Sequence, residues 1–90
     1  MELTKIFEIK NKLGLHAKAA GVFVQTTNKY QSDFTVIKDD VEVNGKSIMG
    51  LMMLAAAKGT KIVVKAIGED AKEALNDLNN IISKKFGEDE

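Results

Sequence analysis

The apolar residues of this ninety-residue chain change their spacing several times, and that switching limits the possible folds more than any other feature. Leu3 to Ile9 alternates loosely, with Leu3, Phe7 and Ile9 on one side, as a half-buried strand requires. Asn11-Lys12-Leu13-Gly14 interrupts the alternation. From Ala17 to Tyr30 the spacing becomes helical, with Ala20, Phe23, Val24 and Thr27 at i, i+3, i+4 and i+7. After a Gln31-Ser32-Asp33 loop, Phe34 to Ile37 forms a second strand rich in β-branched residues. Lys38-Asp39-Asp40 turns the chain into a short third strand, Val41-Glu42-Val43.

Asn44-Gly45 would suit a hairpin, but the residues from Ser47 to Leu54 do not alternate. A turn leading into a helix capped by Ser47 and ended by Lys58-Gly59 fits better. Ile62 to Ile67 is apolar on both faces for most of its length, as in a central strand. Asp70 followed by Glu73 resembles a capping box. Ala71, Ala74, Leu75, Leu78, Ile81 and Ile82 then make the inner stripe of a long final helix. Lys84 and Lys85 suit its C-terminal dipole, Gly87 stops it, and Glu88-Asp89-Glu90 reads as a solvated end. The order is βαββαβα, an α+β layer of helices on one face of an antiparallel sheet. With no proline and no linker-like run, one domain spanning 1–90 is expected. Periodicity does not order the strands, and a ferredoxin-like sheet shares the βαββαβ core.

Composition narrows the function. Thirteen basic and thirteen acidic residues cancel, which removes the basic excess of a nucleic-acid binder. The chain has no cysteine and one histidine, so thiolate chemistry and multi-histidine metal sites are excluded. The longest mostly apolar stretch, Ile48 to Ala57, is about half of the roughly 20 residues that a membrane span needs. Met1-Glu2-Leu3 begins no signal peptide, and a small soluble cytoplasmic domain is expected, with no membrane insertion.

The single histidine, His16, lies where a strand-loop becomes a helix. A helix start presents unpaired N–H groups and the positive end of the macrodipole, which together favour an anion. The same end disfavours imidazolium, so a neutral, nucleophilic ring is expected near pH 7. Lys18, two residues on, supplies a cation able to reach a phosphate oxygen, and Gly14 lets the backbone bend before the ring.

Gly14-Leu15-His16-Ala17-Lys18-Ala19-Ala20 resembles the segment Gly-(Leu/Ile)-His-Ala-Arg-Pro-Ala of the HPr family. These are the histidine phosphocarriers of the bacterial phosphoenolpyruvate:sugar phosphotransferase system. Lys46-Ser47-Ile48-Met49-Gly50-Leu51-Met52 resembles the regulatory-serine region of the same family, and the likeness extends over the whole chain. The resemblance implies an open-faced β-sandwich, with a sheet ordered 1-4-2-3 covered on one face by three helices. It implies that His16 accepts a phosphoryl group on Nδ1 from enzyme I and passes it to enzyme IIA proteins. Such a carrier is a substrate of its partners rather than an enzyme, and it needs no cofactor and no metal. Two positions depart from the pattern. Lys18 replaces a planar guanidinium with a point charge, and Ala19 replaces a proline that fixes φ and lacks an N–H.

In the regulated members of the family, the serine matching Ser47 is phosphorylated by HPr kinase/phosphorylase. At about 100° per residue, Leu51, Leu54 and Ala55 share one side of the second helix, while Met49, Met52 and Met53 share the other, with Ile48 at the edge. The first side suits the sheet. The second suits a flexible docking surface centred on Ile48, Met49 and Met52. Other readings are a purely regulatory carrier of a nitrogen-type or truncated pathway without sugar transport and a ferredoxin-like small-molecule binding module. An enzyme using His16 as general base lacks a titratable partner near it in sequence.

Overall fold

The computed structural model describes all ninety residues, Met1–Glu90. Strand β1 (Glu2–Glu8) is followed by helix α1 (Ala17–Thr27), strands β2 (Asp33–Lys38) and β3 (Val41–Asn44), and helix α2 (Ile48–Met53). Strand β4 (Lys61–Ile67), helix α3 (Ala71–Ser83) and a 3-10 turn at Lys85–Gly87 complete the chain. The four strands pair antiparallel in the order β1-β4-β2-β3, so β4 is central and β1 is an edge. That is the 1-4-2-3 order and not the ferredoxin-like one.

Register explains why one face of the sheet is apolar. Leu3 and Phe7 stand opposite Ala66 and Ile62, while Phe34 and Val36 stand opposite Ala66 and Val64. A period of two puts these residues on one side. They meet Phe23 from α1, Leu51 from α2 and Leu78 from α3, all three fully buried. Lys5 falls in the same row of the edge strand, and its ammonium lies 5.4 Å from the centre of the Phe7 ring. An inward-pointing charge of this kind discourages another strand from adding to the edge. No helix is long and apolar enough to cross a membrane.

Several local expectations need correction. Helix α1 ends at Thr27 and not at Tyr30. Thr26 and Thr27 turn their hydroxyls onto the carbonyls of Val22 and Val24, and the N–H groups of Lys29 and Tyr30 bond only three residues back, to Thr26 and Thr27. Thr27 also donates to Gly45 at 2.9 Å, which ties the end of α1 to the turn before α2. Helix α2 stops at Met53, well before Lys58-Gly59. Lys38 Nζ reaches back to the Leu54 carbonyl at 3.0 Å, and Ala55 takes φ 50, so the chain leaves the helix there. Ala55 is therefore exposed rather than packed beside Leu51 and Leu54. Gly59 (φ +88) serves the turn before β4 instead, its N–H donating to the Ile9 carbonyl.

Asp70 occupies the N-cap of α3 but caps nothing with its side chain. Its carboxylate accepts instead from Gln31 N, Ser32 N and Ser32 Oγ, fastening α3 to the loop before β2. Lys84 is the C-cap of α3, so neither it nor Lys85 stands in the last helical turn. Lys85, Phe86 and Gly87 all have positive φ. This left-handed turn buries Phe86 and folds the following residues back onto the domain.

Candidate functional site

The site begins with Asn11, which is fully buried in the loop after β1. Its Nδ2 donates to the Gly14 carbonyl at 2.8 Å and so closes the loop on itself. Gly14 has φ +68, and a Cβ there would run into the Ala56 carbonyl, so only glycine fits. Leu15 N donates to that same carbonyl at 2.9 Å. The histidine loop is thus pinned to the segment that follows α2.

His16 is the N-cap of α1, in an extended conformation, and its carbonyl accepts from Ala20 N. Its ring makes no capping bond, which leaves the first-turn N–H groups without a side-chain acceptor. The ring is 31% exposed and directs Nε2 at Glu88 Oε2, 2.6 Å away. Glu88 Oε1 in turn accepts from Asn11 Nδ2 at 3.0 Å. Burial acts to raise the Glu88 pKa, but the hydrogen bonds from His16 and Asn11, with the His16 and Lys18 charges, bring it below the usual glutamate value.

This carboxylate corrects two expectations. The end of the chain is not wholly solvated, because Glu88 is only 12% exposed. His16 also has a titratable neighbour, 72 residues away in sequence. No local pattern signals it; the one hint is the buried phenylalanine before Gly87.

Lys18 is exposed and lines the same open depression as His16, Lys12, Glu88 and Glu90. It makes no ion pair. Lys12 pairs with Glu90 at 3.7 Å. Ala19 is buried in the first turn of α1. On its other side His16 borders a shallow apolar depression with Leu13, Met52 and Ala55.

Ser47 caps α2, its Oγ accepting from Gly50 N at 3.0 Å, as the sequence suggests. Leu51 and Leu54 face the core, while Ile48, Met49, Met52 and Met53 are exposed. The structure therefore brings Met52 to the edge of His16, while Ser47, Ile48 and Met49 lie outside both depressions around the ring. No group of three or more histidine or acidic side chains is arranged to hold a metal ion.

Comparison with known proteins bears on this arrangement. The profile of the PTS-HPr family, described as the PTS HPr component phosphorylation site, matches residues 3–84. The chain is 53% identical to a phosphocarrier protein HPr of Neisseria meningitidis over 98% of its own length and 99% of the relative. It is 49% identical to the HPr-like protein Crh of Bacillus subtilis, over 79% of this chain and 84% of that one. A crystal structure of HPr from Thermoanaerobacter tengcongensis superposes with a TM-score of 0.90 at 47% identity, covering 100% of this chain and 99% of the other. With a matching profile across nearly all its length, a shared 1-4-2-3 sheet and full-length relatives at about half identity, the chain belongs to the HPr family of phosphocarrier proteins.

Proposed function

We propose that this single domain of residues 1–90 accepts a phosphoryl group from enzyme I on Nδ1 of His16 and passes it to enzyme IIA proteins in the cytoplasm. The observation that carries the reading is the placement of the chain's only imidazole. It stands at the N-cap of α1, partly exposed, with Nε2 engaged and Nδ1 unbonded within the domain. Phosphoryl transfer asks little covalent chemistry of a carrier beyond a positioned nucleophile and stabilisation of spread negative charge. The open N–H groups of α1 supply such stabilisation without a metal. Lys18 adds an exposed cation at the same rim.

Ile48, Met49 and Met52 form the apolar centre of the surface that docks enzyme I. Their exposure supports this, as does the shallow depression shared by Met52 and His16. Ser47 lies beside that surface and is the residue that HPr kinase/phosphorylase modifies. The likeness to a Bacillus protein described as a catabolite-repression HPr favours such a regulatory use, which is compatible with carriage of phosphate to a regulatory rather than a sugar-transporting partner.

Incubation with enzyme I and phosphoenolpyruvate, followed by intact mass, tests the reading. One acid-labile phosphoryl group is expected, and none on His16→Ala. Normal labelling of that variant would remove His16 from the reaction.

A further inference from the structure

We propose that Asn11 and Glu88 are positioning residues that hold the proton of neutral His16 on Nε2 and so leave the Nδ1 lone pair free to react. The inference rests on the phosphocarrier reading above and adds the groups that fix the reacting atom.

The geometry begins at Asn11. Its two amide hydrogens are spent on acceptors, the Gly14 carbonyl at 2.8 Å and Glu88 Oε1 at 3.0 Å. Turning the amide over would set Oδ1 against two oxygens. The amide therefore keeps this orientation although Oδ1 is buried without a partner. With Oε1 held by Asn11, Oε2 of the same carboxylate stands 2.6 Å from His16 Nε2. An ionised carboxylate is only an acceptor. Two lone pairs cannot share so short a contact, so Nε2 carries the hydrogen. The backbone makes the arrangement rigid from both sides. Asn11 sits in the loop that Gly14 closes, and Glu88 follows the left-handed turn anchored by buried Phe86. The other charged groups around the ring are Lys12 and Lys18 from the loop and α1, and Asp89 and Glu90 from the tail.

The consequence for the transfer step is specific. As the Nδ1–P bond forms, the phosphorylated partner keeps the electron pair of the bond it gives up. Nε2 retains its proton, and the ring becomes a phosphoimidazolium whose positive charge faces Glu88. The arrangement resembles a carboxylate that orients a catalytic histidine and stabilises the imidazolium formed. When the phosphoryl group leaves, the Nδ1–P electron pair returns to the ring, again neutral with its hydrogen on Nε2. No proton moves in either direction.

Glu88→Gln is the discriminating variant. Asn11 offers only hydrogens at that point, so the new amide must turn its oxygen to Asn11 and its NH2 to His16. Nε2 then has to accept, which forces the ring hydrogen onto Nδ1, the reacting atom. Glu88→Ala removes the contact and relaxes the ring to the tautomer mixture of free histidine. The tautomers are read from ring 15N shifts at about pH 9, above the range where histidine titrates. In parallel, kcat and KM are measured for phosphorylation by enzyme I, with thermal melts of each variant.

The wild type is expected as Nε2–H, Glu88→Ala as a mixture, and Glu88→Gln shifted to Nδ1–H. The kcat order should be wild type, then Glu88→Ala, then Glu88→Gln, the last at least about tenfold below wild type because only the minority tautomer is competent. KM should change little. Nδ1–H in the wild type, one tautomer in all three proteins, or wild-type kcat in Glu88→Gln would each overturn the proposal. The wild-type spectrum needs no partner and no variant, so it decides even if a variant misfolds. A wild type that takes up no phosphoryl group would overturn the phosphocarrier reading instead and leave the tautomer result standing.

Discussion

Tyr30 Oη donates to Asp77 Oδ2 at 2.8 Å, and Lys29 Nζ stands 2.9 Å from the same oxygen. One carboxylate in the middle of α3 thereby gathers the residues that follow α1. Its bond to Tyr30, aided by burial and the charges of Asp77, Glu73 and Asp70, pushes the Tyr30 phenol up to about 12. A raised phenol contributes stability that is complete below the unfolded value of 10.0 and is lost as pH climbs through about 12. Ultraviolet titration of the single tyrosine should place its midpoint well above 10 in the folded protein, and Asp77→Asn should move it back toward the ordinary value. An unchanged midpoint in Asp77→Asn would remove the carboxylate as the cause.

Acid should act in part through Asp70, one of three carboxylates held below their usual pKa. Hydrogen bonds from Ser32 Oγ and the Gln31 and Ser32 amides hold Asp70 below its usual pKa. A depressed carboxylate contributes stability above its unfolded value, and that stability is lost as pH falls through the folded one. Asp70→Ala should therefore be less stable than wild type at neutral pH and should show a flatter rise of urea midpoint between about pH 2 and pH 5. Parallel curves for the two proteins would contradict this.

Lys18 provides a kinetic test. If its ammonium pairs with the incoming phosphoryl group, Lys18→Ala loses one charge-assisted hydrogen bond, about 1.5–3 kcal/mol. Felt wholly in the transition state, that is about ten- to a hundredfold in rate. Lys18→Arg should match or exceed the wild type, because a guanidinium can hold two oxygens at once. Stability should barely change in either variant, since the side chain is exposed and unpaired. Equal rates for Lys18→Ala and wild type would exclude the residue.

Ser47 and Met49 should separate folding from recognition. An aspartate at position 47 can still accept from Gly50 N, as the serine oxygen does at 3.0 Å, so Ser47→Asp should melt near the wild type. Met49 is 76% exposed, and Met49→Ala should stay within about 0.5 kcal/mol of wild type. Both should raise the KM for enzyme I several-fold, one by placing a charge at an apolar contact and the other by removing apolar area. Unchanged KM in both would place the docking surface elsewhere.

What was legible in the sequence had a short-range cause. The period of two in β1 and the helical stripe of α3 follow directly from burial, and Leu78 and Phe7 lie where those periods put them. The two sides of α2 also separate as the angular spacing requires, with Leu51 buried and Met49 and Met53 exposed. The ends of elements were less legible, because distant side chains decide them. Lys38 holds the carbonyls of Leu54 and Ala55 just past the end of α2, and Ser32 draws Asp70 away from capping α3. His16 and Lys18 could be singled out from local spacing and the HPr-like motif, whereas Glu88 could not. Its return to the ring depends on positive φ at Lys85 and Phe86, a conformation that neither residue type advertises.

The left-handed turn at Lys85–Gly87 has a practical consequence for anyone attaching an affinity tag or a fluorophore. Because Glu88 touches the imidazole and the Glu90 carbonyl accepts from Lys12 N, a peptide fused after Glu90 leaves the domain beside His16. Met1 lies at the opposite end of β1, where its carbonyl accepts from Gly68 N. Seven residues of strand at about 3.3 Å each separate that end from the histidine loop. A handle attached at Met1 will leave the imidazole open to a partner, while one attached at Glu90 will crowd it.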